Sequence, residues 1–360
     1  MEQDLLVSES SLRKFTEDIF LKMGCSDEDA QLAADVLLLA DLRGIDSHGV
    51  ARLSGYYRLF EAGRINPKPQ IKITRETHST LRVDADSALG LVAAPKIMKL
   101  LVEKAKKAGS AWAAIGNSNH FGIAAYHALI AANQEMIGYA STNASPLVSP
   151  TYSKERLLGT NPVCYCIPAN PHPPVVMDLA TSAAANGKLE IAQRLNKDVP
   201  QGWIADKNGL ATTNPNGVKE GGSLLPLGSD KDRGSHKGYA LGAMVDIFSG
   251  VLSGANYGPW VPPFVSFLPV LPDLPGKGLG HFMGCWDIEA FVEKEEFYHH
   301  MNKWINRFKN SESIENHKVI IPGEPEQILF EERKKSGIPL NSNVVKDLEK
   351  LAQSVQVNFI

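Results

Sequence analysis

Apolar segments of two lengths alternate between residues 111 and 252, and this alternation limits the possible folds more than any other feature of the chain. The short runs AWAAIG, IGYAST, VCYCIP and VVMDLA have the length and composition of buried strands. The longer runs GIAAYHALIAANQ, ANGKLEIAQRL and KGYALGAMVDIFSGVL have the apolar spacing that is typical of helices. Strands that alternate with helices predict an α/β architecture, although the pattern leaves the order of the strands open.

Both ends of the chain have the sequence features of helices. Ser8 or Ser10 can cap a first helix, and Ser26 begins a second that Gly44 ends. The tail segment NSNVVKDLEKLAQSV is again helical, and it can pack back on the opening helices. We therefore expect a discontinuous, mainly helical domain and an α/β region that can divide into two subdomains, with these bounds: 1–75 plus 310–360, and 76–309.

A third helix is predicted directly after the second. It begins at Asp46 or Ser47, ends at Gly63 and turns one apolar face toward the core. The residues expected on that face are Val50, Leu53, Tyr57 and Phe60.

The composition argues against several classes of protein. The 360 residues carry a formal charge of -3 without a long run of either sign, so we expect no nucleic-acid partner. The opening MEQDLLVSES lacks the basic start of a signal peptide, and five prolines interrupt WVPPFVSFLPVLPDLPG, which therefore cannot cross a membrane as one helix. Four cysteines form no disulfide framework, and Cys164 and Cys166 are expected to be reduced on one face of a strand. We expect no metal and a cytoplasmic location.

His48, Arg52 and Tyr56 are spaced four residues apart, so on a continuous helix they lie on one stripe beside the core face. The planar guanidinium of Arg52 suits a carboxylate, which it can bind in two places. His48 lies in the first helical turn, where free backbone N–H groups favour an anion. The stripe therefore suits a small organic acid. Alternatively, it is a solvated face on which Arg52 pairs with an acidic residue.

The loop GNSNHFG, residues 116–122, follows a predicted strand and precedes a predicted helix. Loops in this position often carry the functional side chains of α/β proteins. His120 stands at its centre, and an imidazole with a pKa near 6.5 exchanges protons at neutral pH. Alternatively, His120 only hydrogen-bonds a loop carbonyl.

Two further segments contain candidate binding residues. Asp178 ends the strand-like run VVMDLA, where its carboxylate can accept hydrogen bonds from a ribose or orient a cation; alternatively, it caps a helix. Lys237 lies in the first turn of a helix, where a cation opposes the helix dipole by roughly 0.3–1 kcal/mol. A bound phosphate or carboxylate would remove this conflict; alternatively, the ammonium is simply solvated.

The glycine-rich fingerprint of dinucleotide-binding Rossmann folds is missing from the chain. Its closest approximation, Gly278, Gly280 and Gly284, precedes the strand-like run CWDIEAFV instead of following a strand and opening a helix. A standard Rossmann site is therefore not expected.

With these motifs together, the chain resembles the type-2 malate/L-lactate dehydrogenases, NAD(P)-dependent oxidoreductases with a mixed-sheet, non-Rossmann α/β fold. The resemblance spans residues 39–326 and rests on long motifs in the same order. They are LADLRGIDSHGVARL, GNSNHFGIAAYHA, TNASPLVSP, GTNPVCYCIPA, VVMDLATSAAANGK, VPQGWIADKNGLATTNP, LPLGSDKDRGSHKGYALGAMVDIFSGVLSGANYG and IPGEPE.

The resemblance also implies roles for individual residues. His120 is the implied acid/base and His48 a second catalytic residue, while Arg52 binds the substrate and Tyr56 lines its pocket. Ala144 departs from the relatives that carry serine there, so any cofactor contact at this residue is made by the backbone. The implied cofactor contacts are His120, Asn143, Ala144, Ser145, Asp178, Leu179, Ala180, Thr181, His236, Lys237, Pro322, Gly323 and Glu324.

The family's reaction transfers hydride between a nicotinamide cofactor and a small 2-hydroxy acid or its 2-keto acid. Malate and oxaloacetate are the first expectation for this chain, with NAD as cofactor and NADP as the alternative. Family members that oxidise ureidoglycolate or reduce the cyclic imine piperideine-2-carboxylate provide alternatives, and a non-catalytic dinucleotide-binding protein is a third. The resemblance further implies a homodimer with the active site near the subunit interface, a small-molecule partner and no membrane.

Overall fold

A computed structural model describes residues 4–359 of the chain. Its strands are β1 (Leu5–Val7), β2 (Lys72–Glu76), β3 (Thr80–Ala88), β4 (Ser110–Ser118), β5 (Met136–Thr142), β6 (Val163–Ala169), β7 (His172–Leu179), β8 (Ile204–Ala205), β9 (Ala211–Thr212), β10 (Ser223–Leu224), β11 (Leu279–Asp287) and β12 (Ile338–Leu340). Its helices are α1 (Glu9–Lys22), α2 (Asp27–Leu42), α3 (Leu53–Glu61), α4 (Gly90–Ala108), α5 (Ala124–Ala132), α6 (Asn186–Leu195), α7 (Ser235–Asp246), α8 (Lys294–Lys309), α9 (Glu324–Ser336) and α10 (Ser342–Val355).

The central sheet has seven strands in the order β2-β3-β4-β11-β5-β6-β7. β3 and β4 run parallel, and the other neighbouring strands are antiparallel. Alanines on α4 and α5 let these helices pack closely on one face of the sheet. At Gly138 on β5 this approach leaves no room for a side chain, because a Cβ there would overlap the backbone of Ala128 on α5. The predicted mixed α/β fold is confirmed.

The predicted third helix is wrong in its first half. Two short 3-10 turns, Asp46–His48 and Val50–Arg52, precede α3, and Gly49 between them has an extended backbone. Gly49 lies against the carboxylate of Asp41, which accepts a hydrogen bond from the N–H of Val50 at 2.8 Å.

This break rotates the apolar face of α3. The fully buried side chains are Val50, Leu53, Tyr56 and Leu59, whereas the predicted Tyr57 and Phe60 are only half-buried. Tyr56 therefore belongs to the core and not to a boundary stripe.

The strand predicted at CWDIEAFV is shifted toward the N-terminus. β11 begins at Leu279 and contains Gly280 and Gly284, and the chain turns into a 3-10 helix at Ile288–Ala290. The ring of Trp112 on β4 fills the space beside Gly284 that a side chain would need. These glycines therefore serve strand packing, in agreement with the missing fingerprint.

The two chain ends share one hydrophobic cluster. Leu348 and Leu351 of α10 pack with buried residues of α1 and α2, and the ring of Phe359 meets Phe15 edge-on at 5.4 Å. β1 also pairs with β12 in antiparallel register. The expected return of the tail to the opening helices is observed, while the domain bounds near 75 and 310 stay a prediction.

Within residues 4–359, no helix has both the length and the apolar character needed to cross a membrane. The four cysteines are buried and unpaired, and the sulfurs of Cys164 and Cys166 lie 3.7 Å apart on β6. A disulfide requires about 2.05 Å, so the expected reduced pair is confirmed.

Candidate active site

The structure brings together two histidines, a tyrosine and a phenylalanine that are far apart in the sequence. We call His48, Tyr56, His120 and Phe264 the histidine cluster. The rings of His48 and His120 stack at 5.8 Å with 20° between their planes, and Phe264 lies 4.8 Å from His120 on another side. The hydroxyl of Tyr56 is 2.6 Å from Nδ1 of His120. The two predicted catalytic histidines are therefore neighbours.

Loop chemistry around residues 117–122 fixes the position of His120. Asn117 and Gly122 have positive φ angles of 53° and 76°, which asparagine and glycine tolerate. The amide of Asn119 donates to the carbonyls of Arg64, Ser87 and Ala88 at 3.0–3.1 Å. This network joins the loop to the ends of two neighbouring elements, so His120 stands on a rigid support.

Phe264 lies in the proline-rich segment WVPPFVSFLPVLPDLPG, for which the sequence predicted no functional residue. The side chain of Arg64 donates to the carbonyls of Pro263 and Pro262 at 2.8 and 3.1 Å, and Arg58 donates to that of Phe264. These bonds hold the segment over α3. No sequence periodicity points to Phe264, because a long-range loop contact brings it to His120.

Burial and neighbouring positive charge lower the basicity of both histidines. Burial, followed by the charges of His48 and Arg52, holds the pKa of His120 well below its usual value. Burial and Arg52 lower the pKa of His48 to about 4. In this structure both rings are therefore neutral at pH 7, which leaves each with one nitrogen that donates and one that accepts a hydrogen bond.

Arg52 lies beside the cluster and contacts helix α6. Its Nε donates to the carbonyl of Ser47 at 2.5 Å, and its Nη2 lies 3.4 Å from a carboxylate oxygen of Glu190. The alternative interpretation, in which Arg52 pairs with an acidic residue, therefore describes the observed contact. Glu190 was not predicted; it is held in turn by Asn186 at 2.9 Å.

A second region forms where two of the predicted cofactor segments meet. We call it the Arg43 pocket: a cavity of about 520 Å³ whose lining includes Arg43, Asp178, Gly323 and Glu326. Arg43 is only 4% exposed, and its Nε and Nη2 find no hydrogen-bond partner in the described part of the chain. A buried donor without an acceptor is costly, so the pocket suits a ligand that supplies acceptor atoms.

Asp178 caps a helix, which confirms the alternative prediction for this residue. Its Oδ2 accepts a hydrogen bond from the N–H of Ala125 at 2.8 Å, in the first turn of α5. Burial raises the pKa of Asp178 to about 6. The remaining carboxylate oxygen leaves this residue able to accept a further hydrogen bond in the pocket.

The segment Pro322–Glu324 is fixed against the edge of the sheet. The carbonyl of Pro322 accepts from the N–H of Val176 on β7 at 3.0 Å. Gly323 has a φ of 88°, and a Cβ there would come within 2.7 Å of the Val176 side chain. Glu324 accepts from the N–H of Ile321 at 3.0 Å and pairs with Lys309. The lack of a side chain at Gly323 keeps this wall of the pocket close to β7.

The comparisons with known proteins give the family. A family model described as malate/L-lactate dehydrogenase matches residues 7–349. The chain belongs to the malate/L-lactate dehydrogenase family. It is therefore an oxidoreductase of the dehydrogenase class that acts on CH–OH donors, as its motifs predicted.

Individual family members cover almost the whole chain. A malate dehydrogenase of Pyrococcus abyssi is 41% identical over 358 residues, which is 99% of this chain and 96% of the relative. The structure of malate dehydrogenase from Pyrococcus horikoshii OT3 has a TM-score of 0.91 at 38% identity and covers 100% of this chain and 98% of its own. The structure of sulfolactate dehydrogenase from Methanocaldococcus jannaschii has a TM-score of 0.87 at 35% identity, with 98% of each chain covered.

The family resemblance implies cofactor contacts for the segment 143–145, but the polar atoms of this segment form hydrogen bonds within the protein. Asn143 donates to the carbonyl of Asn256 at 2.7 Å and accepts from Gly280 at 3.0 Å. The N–H of Ala144 donates to the side chain of Asn161 at 3.1 Å. The hydroxyl of Ser145 accepts from the N–H of Phe264 at 2.8 Å, which connects this segment to the histidine cluster. These polar atoms have a structural function, and their cofactor contacts stay a prediction.

The remaining predicted family residues lie around helix α7. His236 and Lys237 are exposed in its first turn. Thr181 is buried and donates to the carbonyl of Thr160 at 3.1 Å, whereas Leu179 is exposed and Ala180 half-buried. Among the hydrogen bonds and ring contacts of the described residues, none joins His236 or Lys237 to the histidine cluster.

In the part of the chain that the structure describes, no group of three or more histidine, cysteine, aspartate or glutamate side chains is arranged to hold a metal ion.

Proposed function

We propose that this protein interconverts malate and oxaloacetate with NAD as cofactor. The observation that carries the proposal is the position of Arg52, an arginine that can bind a carboxylate, directly beside two stacked neutral histidines. The malate dehydrogenase names of the relatives at about 40% identity support malate over other hydroxy acids.

In this proposal the substrate carboxylate replaces Glu190 as the partner of Arg52. The present contact is a single one at 3.4 Å, which a substrate that binds both arms of the guanidinium can outcompete. His120 exchanges the proton of the substrate oxygen, and His48 hydrogen-bonds the same region of the substrate. Tyr56 and Phe264 exclude water behind the imidazole, because both rings pack on it.

The nicotinamide cofactor supplies the hydride acceptor when it is bound. The Arg43 pocket fits part of such a molecule, since Asp178 can accept from a ribose hydroxyl and Arg43 can donate to phosphate or ribose oxygens once its side chain turns its buried, unpaired nitrogens toward the pocket. Asp178 supports NAD because a carboxylate repels a 2′-phosphate, whereas Arg43 would attract one. NADP is therefore the alternative that the experiment includes.

The protein acts as a homodimer in the cytoplasm. Large side chains form a patch on the face of the sheet opposite α5 and on the helical segment Ile247–Val251 beside it. Tyr165, Phe248 and Leu252 are exposed by more than a third, and Trp112, Tyr139 and Phe282 pack around them. Such a patch is typical of a subunit interface. Sedimentation of the wild type as a dimer and of Phe248→Asp as a monomer is the expected result; a monomeric wild type excludes the dimer.

The proposed cytoplasmic location is supported by the cysteines. Four buried, unpaired cysteines fit a reducing compartment.

The test is a substrate panel followed by the absorbance of the reduced nicotinamide. NADH and NADPH are each mixed with oxaloacetate, pyruvate, sulfopyruvate and piperideine-2-carboxylate, and ureidoglycolate is offered with NAD and NADP. Preferred turnover of oxaloacetate with NADH supports the proposal. Preferred turnover of the imine or of ureidoglycolate moves the assignment to those alternatives, and binding of NADH without any turnover indicates a non-catalytic dinucleotide-binding protein.

A further inference from the structure

The hydroxyl of Tyr56 makes a contact that a residue which only lines a pocket would not need. Its side chain is fully buried, yet its hydroxyl lies 2.6 Å from Nδ1 of His120. A tyrosine hydroxyl in a core needs a hydrogen-bond partner, and here that partner is the proposed acid/base itself. A second group contacts the same nitrogen: the backbone N–H of Gly122, at 3.3 Å.

The contact from Gly122 decides the direction of both hydrogen bonds. A backbone N–H can only donate, so Nδ1 must accept and cannot carry a hydrogen in the neutral ring. The tyrosine hydroxyl can donate or accept, and toward this nitrogen it donates. The hydrogen of the neutral imidazole then lies on Nε2, the nitrogen that faces neither Tyr56 nor Gly122.

We propose that Tyr56 is a positioning residue which, together with the N–H of Gly122, holds His120 in the neutral tautomer with its hydrogen on Nε2. This inference rests on the proposed role of His120 and goes further, because it assigns which nitrogen is presented to the substrate oxygen and in which state. A keto oxygen accepts a hydrogen bond, so the Nε2–H group of the neutral ring binds and polarises it. The proton itself is transferred from the charged ring, because a neutral ring that lost its Nε2 hydrogen would become an imidazolate anion.

The hydroxyl also serves the charged ring. When His120 carries two hydrogens, Nδ1 becomes a donor, and the Tyr56 hydroxyl can turn to accept from it, whereas the N–H of Gly122 cannot. Transfer of the Nε2 proton to the substrate oxygen leaves a neutral ring with its hydrogen on Nδ1, directed at the Tyr56 oxygen, and the same form accepts the proton at Nε2 in the reverse direction. A phenylalanine would serve neither state. The other titratable and charged groups that act on His120 are His48, Arg52, His127 and His281. All four disfavour a positive charge on the ring, so they support the neutral state without choosing between its tautomers.

Nuclear magnetic resonance of the side-chain nitrogens tests the tautomer without any substrate. Long-range proton–nitrogen correlation spectra of the uniformly ¹⁵N-labelled full chain distinguish a protonated from an unprotonated imidazole nitrogen. The loss of one ring's signals in His120→Asn assigns them. The expected result is an unprotonated Nδ1 and a protonated Nε2 in the wild type at neutral pH. A hydrogen on Nδ1 overturns the proposal.

Tyr56→Phe removes the hydroxyl and keeps the ring in the core. Because the N–H of Gly122 remains, Nε2 should stay protonated, while the Nδ1 signal should shift since it loses its 2.6 Å hydrogen bond to the hydroxyl. The value of kcat should fall about tenfold to a hundredfold with KM nearly unchanged, within the range that placed acid–base groups contribute. Tyr57→Phe is the matched control, because it removes a hydroxyl from a half-exposed neighbour outside the histidine cluster. Nitrogen signals that are the same in Tyr56→Phe and in the wild type overturn the proposal.

The two arms separate this inference from the proposed function. If no candidate substrate is turned over while Nε2 carries the hydrogen and Tyr56→Phe shifts the Nδ1 signal, the positioning role stands and the reaction is wrong. If oxaloacetate is reduced while Nδ1 carries the hydrogen, the reaction stands and the positioning role is wrong.

Discussion

The histidine cluster and the Arg43 pocket lie on two sides of the segment that runs from His120 to Ala125, yet they satisfy their polar atoms in opposite ways. In the cluster, Nδ1 of His120 already has its partners from the protein. In the pocket, two nitrogens of the buried Arg43 have none among the described residues. The first region is organised before a ligand arrives. In the second region, each unpaired buried donor costs about 1–3 kcal/mol, so the proposed cofactor would add acceptors that the protein does not supply.

The largest expected effect is the loss of turnover in His120→Ala. Removing a placed acid/base should lower kcat about 10²–10⁴-fold, while the affinity for NADH stays close to that of the wild type. Steady-state kinetics and a fluorescence titration with NADH measure the two quantities on one preparation. Turnover that persists in His120→Ala would remove this residue from the chemical step and leave the cluster with a binding role.

A buried histidine outside the cluster should contribute measurably to the pH dependence of stability. His127 on α5 is fully buried, and burial lowers its pKa to about 4. Since the unfolded chain takes up this proton near pH 6.5, the free energy of unfolding should fall as pH drops from about 6.5 to 4, by about 3 kcal/mol from this residue.

The variant His127→Gln tests this contribution, because an amide can still donate to the carbonyl of Phe121 but does not titrate. Urea unfolding at pH 7 and pH 4.5 should show a smaller difference in the variant. Asp178 acts in the opposite direction: its folded pKa of about 6 is raised, so its contribution to stability increases as pH falls from about 6 toward 4. An equal pH difference in variant and wild type would show that His127 contributes nothing.

Next in size is the exchange of Arg52 for lysine. Lysine keeps the charge but loses the planar pair of donors, so kcat/KM for the keto acid should fall about 10- to 100-fold, mainly through KM. Glu190→Gln should have the reverse effect, a KM several-fold lower, because it removes the carboxylate that now pairs with Arg52. Arg307→Lys, on the exposed surface of α8, is the control. A KM that Arg52→Lys does not change would exclude the carboxylate anchor.

The smallest expected effect is that of Arg43→Met, which tests the Arg43 pocket without changing the histidine cluster. Arg43→Met keeps an apolar stem of similar length and removes the unpaired donors, so the stability of the free protein should change little or rise. The dissociation constant for the preferred reduced cofactor should rise about tenfold, with kcat at saturating cofactor retained. Arg307→Met changes the charge equally on an exposed helix. Unchanged cofactor affinity would show that the Arg43 pocket binds something else.

Local sequence rules accounted for much of the fold. Capping residues such as Ser26 and apolar spacing located most helices, and short apolar runs located the strands from β4 to β7. They failed where a tertiary contact overrides local preference. The carboxylate of Asp41 occupies the place of a side chain at Gly49, which breaks the expected third helix and moves Tyr56 into the core.

For the site, motif resemblance supplied His48, Arg52 and His120, which the structure brings together, as well as Asp178 and Gly323, which line the Arg43 pocket. It did not supply Phe264 or Glu190. Phe264 contacts His120, and Glu190 contacts Arg52, and each of these pairs is more than 60 residues apart in the sequence. Sequence periodicity gives no information about such long-range contacts.

The α/β class, the family and the residue types available for the chemistry depend on local spacing and on motifs along the chain, so they could be predicted before the fold was known. Which atoms of those residues remain available to a ligand depends on the folded chain. The N–H of Gly122 and the hydroxyl of Tyr56 contact Nδ1 of His120, and Nε and Nη2 of Arg43 are buried without a partner among the described residues. Hydrogen bonds satisfied or left open by distant segments set these properties, and they exist only once the chain has folded.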